Sequence, residues 1–218
     1  MNLIYAIGTD WSTIMKSRKR EMRKTLQSVG RPREFKEEDV LDSVMKLFWA
    51  QGYEGTGLKD ILTATGLAKG SIYKAFESKH NLYLKSLERY EVLHVDTAVA
   101  ALTSSNPPMT RLDDFLSAPL KNISNGGMNK GCFLCNASAD RSDSDEETRA
   151  LVQRGFQKIG GALAKAISEL KPDWSDERIQ QAAQMILSVY SGLRIMSRSG
   201  LSLSALTDAK KGVLGQFS

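Results

Sequence analysis

The sequence predicts an all-α protein, and three observations lead there. From residue 37 onward, apolar side chains recur at three- and four-residue spacings, the period of one helix face. The pattern is interrupted by helix-stopping residues: Gly52, Gly66, Asn106-Pro107-Pro108, Asn125-Gly126-Gly127 and Lys171-Pro172-Asp173. No stretch alternates apolar and polar residues convincingly, as a half-buried strand does.

Each element can be justified in order. Val40, Val44, Leu47 and Phe48 share one face of a first helix that starts near Glu37 and stops at Gly52, with Tyr53 and Gly55 in the loop. Leu58, Ile61 and Leu62 mark a second, shorter helix ended by Gly66, and Leu67, Ile72 and Phe76 mark a third. Ser78 suits the cap of a long fourth helix through Tyr83, Leu84, Leu87 and Tyr90. After the proline pair, Leu112, Phe115 and Leu116 begin another amphipathic stretch. Ser144-Asp145-Glu146-Glu147 reads as a capping-box start for a helix through Leu151, Phe156, Ile159, Leu163 and Ile167. Ser175 caps the next, and Asp176 and Glu177 suit its positive N-terminal end. A last helix runs from about Ser204 through Leu206, Val213, Leu214 and Phe217.

The composition is that of a soluble protein able to build a core, with 41% hydrophobic residues in a chain of 218. Its net charge of +5 is unevenly spread. Lys16, Arg18, Lys19, Arg20, Arg23, Lys24, Arg31 and Arg33 stand against Glu21 alone, so the rest of the chain is slightly acidic. A basic arm ahead of a near-neutral body is the footprint of a nucleic-acid binder, or else a solvated tail. Residues 1–33 show no sustained period and read as a flexible basic extension, within which Met15 and Met22 offer alternative starts to Met1. No apolar run reaches the roughly 18 to 20 residues of a membrane span, and the first residues lack the pattern of a signal peptide. Two cysteines make no disulfide framework, so a cytoplasmic protein is expected.

The third helix raises the functional question. With Ile72 and Phe76 turned inward, Gly70 and Lys74 point outward and Ser71 and Tyr73 flank them. Glycine inside a helix costs roughly 1 kcal/mol against alanine. A small, basic outer face suits close approach to the major groove of DNA. Helix, glycine turn and second helix is the helix-turn-helix plan. Lys69, Gly70, Ser71, Tyr73 and Lys74 are the candidate readers, Thr56, Lys59 and Lys79 the candidate phosphate contacts at helix starts, and Arg31 and Arg33 an arm for a minor groove.

Residues 35–84, with Gly52-Tyr53, Thr56, Asp60-Ile61, Gly66-Leu67, Lys69-Gly70-Ser71-Ile72-Tyr73, Phe76 and Ser78-Lys79, resemble the DNA-binding domain of the TetR family of bacterial transcription regulators. Gly57 departs from that pattern, which usually carries Ser or Thr there, and so does the long leader. The stretch from Tyr190 to Leu206 is similar to the last two helices of many members. The resemblance implies a homodimer on a palindromic operator, with one recognition helix per subunit in successive major grooves. It also implies a helix-turn-helix head, residues 34–80, and an effector-binding and dimerisation domain, residues 81–218. The expected activity is that of a ligand-responsive repressor released by a small-molecule effector, not of an enzyme, and no cofactor or membrane partner is expected.

Ile179, Ala183, Ile186, Leu187 and Tyr190, with Leu214 on the last helix, offer an apolar face that serves either as intramolecular core or as dimer interface. Candidate liners of an effector pocket are Tyr90, His94, Phe115, Phe133, Asn136 and Phe156. Cys132 and Cys135 are two small packed hydrophobes or a thiol switch; a thiol oxidoreductase is a third reading, against which no βαβ pattern surrounds the pair. A closed zinc site needs about four ligands, and His80 and His94 are the only histidines, so no metal site is expected.

Overall fold

The computed structural model describes residues 35–124 and 130–217. Arg31, Arg33, the alternative starts and the Asn125-Gly126-Gly127 break lie outside the described residues. The chain divides into units 1–36 and 37–218, and everything below concerns the second.

That unit is helical, with no strand among the described residues. In order, α1 spans Glu37–Gly55, α2 Leu58–Thr65, α3 Lys69–Phe76 and α4 Lys79–Tyr90. A π-helical turn at Glu91–Val95 carries α4 into α5, Asp96–Leu102. Then come α6 (Pro108–Ser124), α7 (Phe133–Arg141), α8 (Glu146–Leu170), α9 (Asp176–Arg198) and α10 (Leu203–Leu214), closed by a short 3-10 turn at Gly215–Phe217.

The helix starts follow the side chains available to cap them. Ser78, Ser175 and Ser202 each accept from the backbone N–H three residues on. For α8 the cap is Asp145 rather than Ser144: its carboxylate accepts from Thr148 N, and a carboxylate answers the positive helix end better than a hydroxyl. The last helix begins one residue before the expected start, because Ser202 provides the cap.

The first four helices pack through Val40, Val44, Phe48, Ile61, Ile72, Phe76, Leu82 and Tyr83, all buried. Tyr83 is the hinge of this core, edge-on to Phe48, Tyr53 and Phe133 with centroids 5.0, 5.1 and 5.8 Å away. In the body, Leu116, Leu134, Leu163, Ile167, Ala183, Ile186 and Leu206 form the core. Helices α7 and α8 approach so closely that a Cβ on Gly155 would fall 2.6 Å from Leu134 Cδ1.

Candidate DNA interface and its link to the helical body

The turn between α2 and α3 is made by Gly66. It adopts φ 67°, a left-handed conformation, and its N–H bonds Leu62 O at 2.9 Å. Helix α2 starts on Gly57, which has no side chain to cap with, and Asp60 Oδ2 accepts the Gly57 N–H at 2.8 Å in part compensation. Helix α3 turns Ile72 and Phe76 inward and leaves Lys69, Gly70, Tyr73 and Lys74 exposed, with Ser71 half-buried. A Cβ on Gly70 would meet nothing within 4 Å. Packing among the described residues therefore does not demand this glycine, and they leave the helix backbone bare on this side. Tyr73 is 43% exposed with Lys69 Nζ 5.7 Å from its ring centre, and Lys59 is exposed on α2.

Two expected phosphate contacts are placed differently. Thr56 is fully buried, and its hydroxyl donates to Gly52 O at 2.8 Å. It ends α1 and has no free hydroxyl for a phosphate. Lys79 is half-buried, its Nζ 4.2 Å from the centre of the Tyr53 ring.

The start of α4 is bound to the body through a polar junction. Gly52 breaks α1 with φ 74° and ψ 178°, so that Tyr53 N–H reaches Asp140 Oδ2 at 2.9 Å. The Tyr53 ring faces the Arg141 guanidinium at 3.9 Å. Arg141 bonds Glu54 Oε1 and Asp145 Oδ2, both at 3.2 Å. Asp145 also accepts from Thr148 N, from Thr148 Oγ1 and, at 2.7 Å, pairs with His80 Nε2. Burial alone would raise the Asp145 pKa, but these bonds outweigh it and hold the carboxyl well below its usual range. His80, Asp145 and Glu147 place ligand atoms within 4.8 Å of one another, yet both Asp145 oxygens are already taken, which makes the group an ion-pair hub. On the other side of α4, Arg89 bonds Asp42 of α1 at 2.7 and 3.3 Å.

At the end of α4 and in the π-helical turn after it, Tyr90 and His94 meet Trp49 of α1, with Tyr90–Trp49 5.0 Å and His94–Trp49 5.1 Å between centroids. The buried Glu91 takes Arg154 and Lys158 of α8, at 2.7 and 2.6 Å. Among the expected pocket liners, Tyr90 packs on Phe133 at 5.6 Å and Phe115 stacks on Tyr190 at 4.1 Å. Asn136 instead ties backbone together, donating to Trp49 O and Lys130 O at 3.1 Å. Phe156 faces away, toward an outer groove of about 460 Å³ shared with Cys135, Gln184, Leu187 and Ser191. Cys132 and Cys135 are both buried, and Tyr90 Oη donates to Cys132 Sγ at 3.6 Å. Bonds from Cys135 and Tyr90 pull the Cys132 pKa down, and the Cys132 sulfur and burial push Cys135 up.

The apolar face of α9 needs a correction. Ile179, Ala183, Ile186, Leu187 and Tyr190 are buried inside the single chain, and Leu214 is half-buried on α10. The five α9 residues are subunit core and are not free to meet a second copy, whereas Leu214 keeps part of its surface open. The sequence reading missed Trp49 and Arg194. Arg194, one turn past Tyr190 on the same stripe, was legible as a charge set where the apolar period continues.

Residues 40–85 match the family model described as bacterial regulatory proteins, tetR family, and residues 108–212 match that of the LmrA/YxaF-like transcriptional regulator C-terminal domain. The HTH-type transcriptional repressor ComR of Escherichia coli K12 is 28% identical over 188 residues, covering 83% of this chain and 88% of the relative. The repressor NemR of the same strain is 24% identical over 177 residues, covering 79% and 88%. The crystal structure of reduced E. coli NemR superposes with a TM-score of 0.72 at 25% identity, covering 81% of this chain and 93% of that one. A cysteine mutant of CifR complexed with 26 bp double-strand operator DNA shares the fold with a TM-score of 0.73 at 21% identity, covering 84% and 98%. With its exposed α3 face and both regions matched, the chain belongs to the TetR family of bacterial regulatory proteins and is a DNA-binding transcription regulator.

Proposed function

We propose that the protein is a homodimeric repressor that binds a palindromic operator through α3 and is released by a small-molecule effector held in the body. The observation that carries this reading is the outer face of α3, where Lys69, Gly70, Tyr73 and Lys74 stand exposed around a backbone that none of the described residues covers. Residues 34–80 act as the head and 81–218 as the effector and dimerisation domain, with α4 shared between them. An effector that moves α4 near Tyr90 shifts its other end, tied at His80, and so changes the spacing of the two heads. ComR, NemR, BdcR and DhaR are named as repressors, while YezE and YxaF are named as uncharacterized regulators, which supports that sign of regulation and favours a regulator over a thiol enzyme. Such a protein works in the cytoplasm, and no described helix is long and apolar enough to cross a membrane.

Anisotropy titration onto DNA from upstream of the protein's own gene, at two salt concentrations, tests the interface. Tyr73→Ala and Lys74→Ala are each expected to weaken binding about tenfold, with Lys74→Ala also reducing the salt slope by about one. Wild-type affinity in both variants at physiological salt would show that α3 does not face the DNA.

For the dimer we assign the outer stripe of α9: Gln181, Gln184, Met185, Ser188, Gly192 and Ile195 are exposed or half-exposed, Met185 at 37% and Ile195 at 55%. Small residues at Ser188 and Gly192 let a second helix approach, and the apolar ones give it area to bury. Ser188→Arg is expected to convert the dimer to monomer in sedimentation velocity at micromolar protein. A dimer that persists would place the interface elsewhere.

A further inference from the structure

The chain holds two cysteines, and the fold sets them against each other. Cys132 is the N-cap of α7, with extended φ −116° and ψ 130°, and Cys135 lies three residues on, in the first turn. An N-cap side chain turns back toward the third residue of its helix, so local geometry alone brings the two sulfurs together. The Cys135 thiol donates to the Cys132 sulfur, and both are free thiols. One helical turn puts the two Cα atoms within the roughly 4 to 7 Å that a disulfide spans.

The surroundings favour a thiolate. The bond from Cys135 is the main cause that holds the Cys132 pKa below that of an ordinary thiol, against the opposing effect of burial. Tyr90 Oη adds to it, donating to Cys132 Sγ at 3.6 Å. So does the Arg194 guanidinium, which is held on Tyr190 Oη and favours the charged form of both sulfurs. Cys135 also has a way out. It borders a groove of about 460 Å³ between α1, α7 and the end of α9, lined by Gln51, Asn136, Ile195 and Arg198. A second groove reaches it beside Gln184 and Ser188, on the face assigned above to the dimer, which leaves the first as the route in. A small oxidant there meets the Cys135 sulfur with Cys132 directly behind it. The proton left on the pair lies between the two sulfurs, so either can be the thiolate.

We infer that Cys132 and Cys135 are an oxidation site, which a hydroperoxide converts to an intramolecular disulfide that weakens binding to operator DNA. The deprotonated sulfur attacks the O–O bond, takes up the terminal oxygen as a sulfenic acid and expels hydroxide or alkoxide, which is then protonated. The remaining thiol attacks the sulfenic sulfur, the S–S bond forms, and its proton leaves with the hydroxyl as water. The two sulfurs lose two electrons and the O–O bond gains them. A disulfide sulfur carries no charge, so Tyr90 Oη at the end of α4 loses its acceptor, and α4 is the helix tied at His80 beside the head. The consequence for DNA rests on the regulator reading above, to which an oxidant is then a second input beside the effector.

The test exposes reduced full-length protein to hydrogen peroxide, then reads peptide mass, free thiols and anisotropy on DNA from upstream of its own gene. The tryptic peptide from Gly131 to Arg141 holds both cysteines and no methionine. In wild type it is expected to weigh two hydrogen atoms less, with both thiols gone and the protein still a single chain on a non-reducing gel. DNA affinity is expected to fall about tenfold and to return with dithiothreitol. Cys135→Ser is expected to bind DNA as reduced wild type does and to keep that affinity in peroxide. Thiols that survive peroxide, oxidation that runs on to sulfinic acid, or a disulfide between chains would each overturn the site. A disulfide that leaves DNA affinity unchanged, or an equal loss in Cys135→Ser, would overturn the switch. If reduced wild type shows no sequence-selective DNA binding, the regulator reading fails instead, and the peptide mass still decides the disulfide.

Discussion

Asp145→Ala is expected to destabilise the fold by about 3 kcal/mol, through loss of a helix cap and of a buried charge that three partners share. For a chain of this size that corresponds to a fall of about 8 °C in Tm. The carboxylate caps α8, and its removal strands Arg141, His80 and Thr148 together. Asp145→Asn, which retains an acceptor for Thr148 but loses the charge, is expected to cost about half as much. The pH dependence has a definite sign. The folded pKa of Asp145 is held below its unfolded value of 3.8, so its contribution is present above about pH 4 and is lost as the pH falls through the acid range. Asp42 and Glu91 are also held low, by Arg89 and by Arg154 with Lys158 respectively. Asp145→Asn should therefore flatten the acid limb of Tm against pH without abolishing it. An unchanged acid limb would show that the junction does not depend on this charge.

The second large effect is at Gly52. Its φ of 74° with ψ of 178° is a region that side-chain-bearing residues essentially do not occupy. A Cβ there would also lie 3.2 Å from Asp140 Oδ2, the acceptor of the Tyr53 N–H. Gly52→Ala is expected to cost about 3 kcal/mol, from backbone strain and the weakened bond. Gly66→Ala is the internal comparison: φ is 67° but the space is open, and about 1 kcal/mol is expected. Urea denaturation of the two variants measures the difference, and equal losses would mean that the Asp140 contact contributes nothing. Because this bond joins the end of α1 to α7, Gly52→Ala should also alter DNA affinity in the folded protein.

The sequence by itself determined the helical class, the helix-turn-helix and which side of α3 faces out. Those follow from interactions a few residues apart: Ile72 and Phe76 share a face by helical period, Gly66 permits its own left-handed turn, and Ser78 and Ser175 cap the residues that follow them. It also marked Ile179, Ala183, Ile186, Leu187 and Tyr190 as a buried stripe, but a period reports burial and not the partner that causes it. Only the tertiary structure decided that α9 spends this stripe on its own subunit and leaves Met185, Ser188 and Ile195 outside. The same limit applies to Thr56, whose hydroxyl turned inward to Gly52, and to Phe156, whose helix faces it to the outer groove. The junction of Tyr53, His80, Asp140, Arg141 and Asp145 gathers groups up to 92 residues apart. The pairing of Arg194 with the Tyr190 phenol, and with no described carboxylate, is likewise a fact about space, since no local pattern in a chain specifies which partner its folding will bring to a charge.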